Sequence, residues 1–374
     1  MQQLGLNNDV LVGGRRFHVQ TTYSASSEKI ISHIFDNGRV IERREVAVND
    51  EGMDSALPKK LKVIHQEMIS EIELLYYIAE KVRQVQHPLS CVKLGLVFMN
   101  RNLLDDAMTF FQLATELDPN APEHYSHLGY VNLRLRDFAT AEHVLRKGLQ
   151  LAPRFADLHH HLGVACLEQG KFPQALESLQ TAIDINPNFF QAHFHRALAL
   201  LSQMTSNGAT IDATGFLPAK QAQEHLTHAA EGLPAYRTPR LEKAMQLIDE
   251  GAYAQATQEL QSLRQEINTE TDLTFEHEFY LKFMYGGKGK DDDFIQRYAE
   301  QLRTAIHEYP DYADLHNSLG VAYLIQCRNL FLRALEEFRV SLRINPGYKR
   351  AEKNLKLSEN DGKGFLILLR AILK

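Results

Sequence analysis

The 374-residue sequence predicts a mainly α-helical fold: an α-solenoid of about seven helix pairs, preceded by a small three-stranded antiparallel β module and a long helix. Three observations predict it. Pro119, Pro153 and Pro187 lie 34 residues apart, and a fixed period of this size marks a stacked array rather than one closed core. Small residues recur in step, with Gly95, Gly129 and Gly163 preceding Ala107, Ala141 and Ala175. Before the array, three short runs are rich in β-branched and aromatic residues, with Asp36, Asn37 and Gly38 as a hairpin signal between the last two.

The β module is expected within residues 1–57, its strands in FHVQTTYS, KIISHIF and VIERREVAV. Phe17, Val19, Thr21 and Tyr23 alternate onto one face of the first strand. A connecting helix is expected over residues 58–87, running from Pro58 to Val85. Its apolar stripe is Leu61, Ile64, Met68, Ile72, Leu75, Ala79 and Val82, with a second edge at Ile69, Tyr76 and Tyr77. Three strands are marginal alone, and a helix across one face completes a core. The stripe packs on the sheet and first repeat or forms a coiled-coil dimer seam, and the second edge makes the two compatible. The sheet's edges could also pair with another copy or a partner strand.

The array spans residues 88–357. The first repeat carries Cys91, Leu94, Gly95, Phe98, Ala107, Phe111, Ala114 and Pro119. The second carries Tyr125, Leu128, Gly129, Ala141, Leu145, Gly148 and Pro153, and the third His159, Leu162, Gly163, Ala175, Leu179, Ala182 and Pro187. The pattern returns at His316, Leu319, Gly320, Tyr323, Ala334, Phe338 and Pro346. This resembles the tetratricopeptide repeat family, and the likeness covers most of the chain. A helix-interior glycine costs about 1 kcal/mol against alanine, so its recurrence implies close approach of a neighbouring helix. Each proline ends a second helix. Holding the period places insertions at about 204–215, 286–293 and 326–329, all between the two helices of a pair, with Asn268 where the fifth repeat lacks its proline.

Composition narrows function. Charged residues are 24%, hydrophobic residues 44% and net charge −6, which does not favour nucleic acid as partner. Cys91, Cys166 and Cys327 are expected as buried reduced thiols in a cytoplasmic protein. The N-terminus lacks a signal-peptide pattern, and no apolar run reaches membrane-span length.

Little points to catalysis or a cofactor. His127, His161 and His195 recur every 34 residues, but equivalent positions on stacked helices are about 10 Å apart and form a ladder rather than a metal cage. Gly286-Gly287-Lys288-Gly289-Lys290 lacks the full phosphate-loop spacing and precedes three aspartates, which reads as an inserted loop. No catalytic, cofactor or metal residue is assigned, and a non-enzymatic protein is expected.

The resemblance implies a concave groove lined by first helices. Carried over by position, its residues are Val92, Leu96 and Met99; Ser126, Tyr130 and Leu133; His160, Val164 and Leu167; and Phe194, Leu198 and Leu201. Some family members hold a terminal carboxylate with lysines and asparagines at such positions, and those are missing here. An apolar groove suits an amphipathic helix or extended hydrophobic segment, unless the chain's own N-terminal helix or tail covers it.

The tail, residues 358–374, reads as an apolar and basic helix. Phe365, Leu368, Leu369 and Ile372 lie on its apolar face, with Arg370 in a basic stripe. It could pack back near Leu355, dock into another copy or partner, or give weak peripheral membrane contact through residues 363–374.

The expectation is an interaction scaffold or adaptor binding protein or peptide segments. The alternatives are a self-assembling or membrane-peripheral assembly protein and a peptide-sensing regulator.

Overall fold

A computed structural model describes residues 5–48, 53–206, 216–267 and 274–372; the side chains of 53–56, 216, 290, 360–363 and 365–372 lie outside the description. The chain divides into two compact units, Met1–Asp272 and Leu273–Lys374.

The first unit begins with a sheet of four strands, not three: β1 (Gly5–Val12), β2 (Arg15–Ser24), β3 (Lys29–Asp36) and β4 (Arg39–Ala47), antiparallel in sequence order. The extra strand is β1. Its Asn7, Asn8 and Asp9 are poor strand formers, and pairing with β2 supplies what local preference does not. Gly13 and Gly14 join them with φ of 60° and 75°, a turn that repeats the Asn37-Gly38 solution at 49° and 81°. Between β3 and β4 the register shifts after Ile34, so Ile34 faces Glu42 and Phe35 faces Val40. The additional residue, Ile41, turns inward and is buried.

Helix α1 (Met53–Val85) begins five residues before the expected Pro58 and lies across the sheet. Phe17, Val19, Ile30 and Ile34 of the sheet and the helix stripe of Leu61, Ile64, Met68, Ile72, Leu75, Ala79 and Val82 are all buried, with Ile30, Leu61 and Ile64 in one apolar cluster. That face is consumed within the chain, so the stripe itself is not free to form a dimer seam. Of the second edge, Ile69 and Tyr76 are buried and Tyr77 remains 52% exposed. Tyr76 packs between Phe17 and Phe98, tying sheet to first repeat.

Charged contacts reinforce that junction. Arg15 reaches Asp36 and Asp106 at 2.5 Å each, and Tyr76 donates to Asp106 at 3.0 Å. Arg101 pairs with Glu42 at 3.0 Å, while Arg44 pairs with Glu71 at 3.2 Å. Inside the module, Thr21 contacts Ser32 at 2.6 Å and His65 at 2.9 Å, so a buried polar row crosses the sheet–helix interface with its partners supplied.

Five helix pairs follow in the first unit. They are α2 (Pro88–Asn100) with α3 (Leu104–Leu117), α4 (Pro122–Arg134) with α5 (Phe138–Leu151), and α6 (Ala156–Glu168) with α7 (Phe172–Ile185). Then come α8 (Phe190–Ser206) with α9 (Phe216–Gly232), and α10 (Pro239–Asp249) with α11 (Tyr253–Glu266). The glycines act as expected in the first three pairs. A Cβ on Gly95, Gly129 or Gly163 would lie 2.6, 2.3 or 2.5 Å from Phe111, Leu145 or Leu179.

Four of these turns, those of pairs one, two, three and five, are each closed by one left-handed residue. Asn102, Arg136, Gly170 and Gly251 have φ between 57° and 74°. The next amide bonds back to a carbonyl five residues earlier, as in Leu103 to Phe98 and Asp137 to Asn132. Residues 207–215 and 268–273, which include most of the first expected insertion and Asn268, lie outside the described residues.

The second unit contains α12 (Thr274–Met284), a short 3₁₀ turn at Lys288–Lys290, α13 (Asp292–Glu308), α14 (Ala313–Ile344) and α15 (Lys349–Ile372). The insertion at 286–293 is that turn together with the start of α13. The seventh pair is not a pair. α14 runs unbroken through residues 326–329, where a turn was expected. Gln326, Cys327, Arg328 and Asn329 include no glycine or proline, and none adopts positive φ. Asn329 donates to Asp292 at 2.8 Å and Arg333 pairs with the same carboxylate, clamping the helix across the missing turn. Cys91 and Cys166 are buried as expected, but Cys327 is exposed because no second helix folds back over it. The tail belongs to the single helix α15, which starts at Lys349 rather than 358. The side chains of Phe365, Leu368, Leu369, Arg370 and Ile372 lie outside the described residues.

Candidate functional site

The first helices α2, α4, α6 and α8 carry all twelve positions expected to line a groove, and the structure sorts them into three groups. Leu96, Tyr130, Leu133 and Val164 are half-buried and reach solvent. Val92, Met99, Ser126, His160 and Leu167 show 6–8% of their surface. Phe194, Leu198 and Leu201 are 0%, 1% and 0% exposed, so they are core residues and line no open groove.

The reason lies in the fifth pair. In the preceding repeats a first helix packs on both helices of the pair before it, as α6 does on α4 and α5. Here the second helix, α11, packs along α8. Between α9 and α10, Pro234–Tyr236 forms a 3₁₀ turn that drives Tyr236 against Phe194, stacked at 4.7 Å and buried. Arg264 on α11 pairs with Glu168 at the end of α6, 2.6 Å away. The segment that covers repeat four within the first unit is therefore α11, a helix that sequence reasoning did not name. Two prolines five residues apart, Pro234 and Pro239, with no glycine at the first-helix position of that pair, are the sequence signal for this departure.

A row of imidazoles runs along the same helices. His127 stacks on Phe111 at 5.4 Å, and His161 stacks on Tyr130 at 5.1 Å while its Nδ1 meets Ser126 Oγ at 3.2 Å. His160 Nε2 and His195 Nδ1 are 3.0 Å apart, and His195 Nδ1 is 2.8 Å from the Gln191 carbonyl. His195 therefore carries its proton on Nδ1, and His160 accepts on Nε2. That leaves the buried His160 Nδ1–H without a hydrogen-bond partner.

Burial pushes His127 down to about 4 and His195 down to about 3, and holds His160 and His161 well below the ordinary histidine range. Secondary contributions come from neighbouring histidines and, for His195, from Arg264. The row is neutral at physiological pH. Among the described residues, no three His, Cys, Asp or Glu side chains are grouped to hold a metal ion. No helix of the described residues is long and apolar enough to cross a membrane.

The chemistry on offer is thus a partly apolar, neutral, aromatic-edged surface on α2, α4 and α6. Glu168 and Arg264 mark its far boundary.

Comparison with known proteins agrees with the repeat pattern. A model described as Tetratricopeptide repeat matches residues 89–121, and one described as TPR repeat matches residues 165–203. No curated protein matches the sequence. Similar solved structures include MamA from Desulfovibrio magneticus RS-1, at 23% identity over 46% of this chain and 93% of that one, with a TM-score of 0.35. YrrB, described as a TPR protein with an unusual peptide-binding site, is 17% identical over 54% and 97%, also at 0.35. PilF of Pseudomonas aeruginosa is 19% identical over 61% and 95%, again at 0.35. Likenesses at this level say nothing of what this chain binds. With two of its segments matched by family models and the pairs from α2 to α7 built to one plan, the chain carries tetratricopeptide repeats, which support an interaction scaffold in general.

Proposed function

We propose that this protein is a non-enzymatic adaptor that binds an apolar or amphipathic protein segment across the first helices of repeats one to three. The observation that carries the reading is the contrast along those helices: Leu96, Tyr130, Leu133 and Val164 keep solvent-facing apolar surface, while the equivalent residues of repeat four are sealed under α11. The site is then short, bounded by the sheet module at one end and α11 at the other. A segment that crosses three repeats at about 10 Å each needs roughly 30 Å, or about nine extended residues. The neutral row behind the surface supports recognition by shape and apolar contact rather than by charge. Buried, reduced Cys91 and Cys166 support a cytoplasmic setting as part of the same proposal.

Quantitative capture from the native host, comparing the intact protein with Tyr130→Glu and Val164→Glu, tests this. Both positions are half-buried, so charge there is tolerated by the fold and disfavours an apolar ligand. A partner lost with both variants, at unchanged helix content, is the expected result. A partner set unchanged by either one removes the surface from the proposal.

A further inference from the structure

The N-terminal sheet ends in two edge strands of opposite character. β4 is blunted against further pairing in several ways. Five of its nine residues are charged: Arg39, Glu42, Arg43, Arg44 and Glu45. Glu42 and Arg44 are tied to Arg101 and Glu71, and Lys60 donates to the Ala47 carbonyl at the strand's end. Its register also shifts beside Ile34. β1 has none of these devices. It pairs with β2 from Gly5 to Val12 without a shift, and its other side meets no strand among the described residues. It has no lysine, arginine or proline. Its one charge, Asp9, is turned to Arg16 and His18 on β2. Leu11 is 79% exposed. An edge in this state offers a row of N–H and C=O groups that another extended backbone satisfies best.

We propose that β1 pairs antiparallel with β1 of a second copy, joining two four-stranded sheets into one of eight strands. The sequence of β1 selects the register. Side chains directly opposite each other share a face of the sheet, so a twofold pairing centres on one residue that faces its own copy. Centred on Asn8, it sets Leu6 against Val10 and Asn7 against Asp9, each twice, with Gly5 beside Leu11. Centred on Asn7, Leu6 would meet Asn8. Centred on Asp9, two carboxylates would face each other and Val10 would meet Asn8. The register about Asn8 alone matches apolar with apolar and keeps like charges apart. The match lies on the helix-covered face, where Leu6 already packs on the cluster of Ile30, Leu61 and Ile64. The rest of the first unit leaves room. α1 lies chiefly over β1 and β2. A strand spacing of about 4.8 Å then sets the two copies of α1 about 10–14 Å apart, at or beyond ordinary helix spacing. The turn after β1 lies against the first repeat, where Arg15 meets Asp106, so an antiparallel pair sends the two arrays out of opposite ends of the joined sheet. No residue of the concave surface takes part, so either reading can fail without the other.

Light scattering on the full chain reads the assembly, and engineered thiols read the register. With the exposed Cys327→Ser as background, Asn8→Cys places a thiol opposite its own copy, with Cβ atoms about 5 Å apart, where mild oxidation joins the chains. Two copies of residue 7 lie about 8 Å apart in this register, beyond disulfide reach, so Asn7→Cys should stay unjoined. Asn7 is exposed, so charge there leaves the fold intact. Asn7→Asp sets a carboxylate against Asp9 at two places and should raise the dimer dissociation constant by about two- to thirtyfold, whereas Asn7→Lys should lower it. Opposite signs from one exposed position separate pairing from a general effect on folding. The expected result is a mass that doubles as concentration rises, cross-linking at 8 but not at 7, and opposite shifts from the two charge variants. A monomer at every concentration overturns the proposal, including where a foreign strand takes the edge. So does a dimer that cross-links equally at both positions or ignores both charge variants.

Discussion

Phe194 stacks on Tyr236 with ring centroids 4.7 Å apart and planes 19° from parallel, and neither side chain reaches solvent. The pair fixes the point at which the array departs from its own plan. Tyr236 sits in the turn that lets α11 lie on α8, so the stack joins repeat four to the helix that seals it. Truncating either ring leaves a large cavity at this joint. Phe194→Ala is expected to destabilise the first unit by about 3–5 kcal/mol in denaturant unfolding. A loss below about 1 kcal/mol would show that the ring is not packed as described.

Gly129 and Gly320 occupy the same repeat position in opposite surroundings. A Cβ on Gly129 would come within 2.3 Å of Leu145, whereas one on Gly320 meets nothing within 4 Å among the described residues. Gly129→Ala is therefore expected to lose about 1–3 kcal/mol through overpacking. Gly320→Ala, measured at low protein concentration, is expected to gain up to about 1 kcal/mol from helix preference. Equal losses from both, read as midpoint shifts in urea, would contradict α14 as a single helix.

Asp106 accepts from both Arg15 and Tyr76, linking β2, α1 and α3. Asp106→Ala leaves two mostly buried donors without their shared acceptor. A cost of about 2 kcal/mol is expected, accompanied by faster amide exchange in β1 and β2 as the module loosens from the first repeat. Unchanged exchange there would show that the apolar contacts of Tyr76 hold the junction alone.

The imidazole row makes stability depend on pH with a definite sign. Burial depresses the folded-state pKa values of His127, His160, His161 and His195, to about 4 for His127 and about 3 for His195. In the unfolded chain these groups take up protons near the ordinary histidine value of about 6.5. Below that pH the unfolded state binds more protons, so stability is full above it and falls as pH drops toward 4. Each such histidine contributes a slope of up to about 1.4 kcal/mol per pH unit in this window. Urea midpoints at neutral and mildly acidic pH check this. A midpoint that holds or rises on acidification would mean the row is protonated in the folded protein.

The repeats were legible because their signal is geometric. Glycine at 95, 129 and 163 is tolerated in a helix only where another helix touches it, and the proline spacing counts the stack. The Asn37-Gly38 hairpin was legible for the same reason, since both residues adopt a conformation that few others accept. Strand β1 was not, because Asn7, Asn8 and Asp9 hide its alternation and its order comes from β2. The seventh repeat misled because its packing residues are intact while its turn is not: Cys327 stands where other pairs have a left-handed Asn102, Arg136 or Gly170. Of the candidate surface, position along the repeat located Leu96, Tyr130, Leu133 and Val164 on the solvent-reaching side. It could not foresee that α11 covers Phe194, Leu198 and Leu201, because that packing joins helices about sixty residues apart in sequence.

Site-specific photo-crosslinking in the native host tests the central claim most directly. A photoreactive phenylalanine analogue would replace Val164 on the proposed binding surface and, as control, the exposed Leu217 on α9. The expected result is a discrete heterologous protein adduct at 164 that is absent at 217 and lost when Tyr130→Glu is combined with the probe. No adduct at 164, or the same adducts from both positions, would contradict a protein-binding surface on repeats one to three.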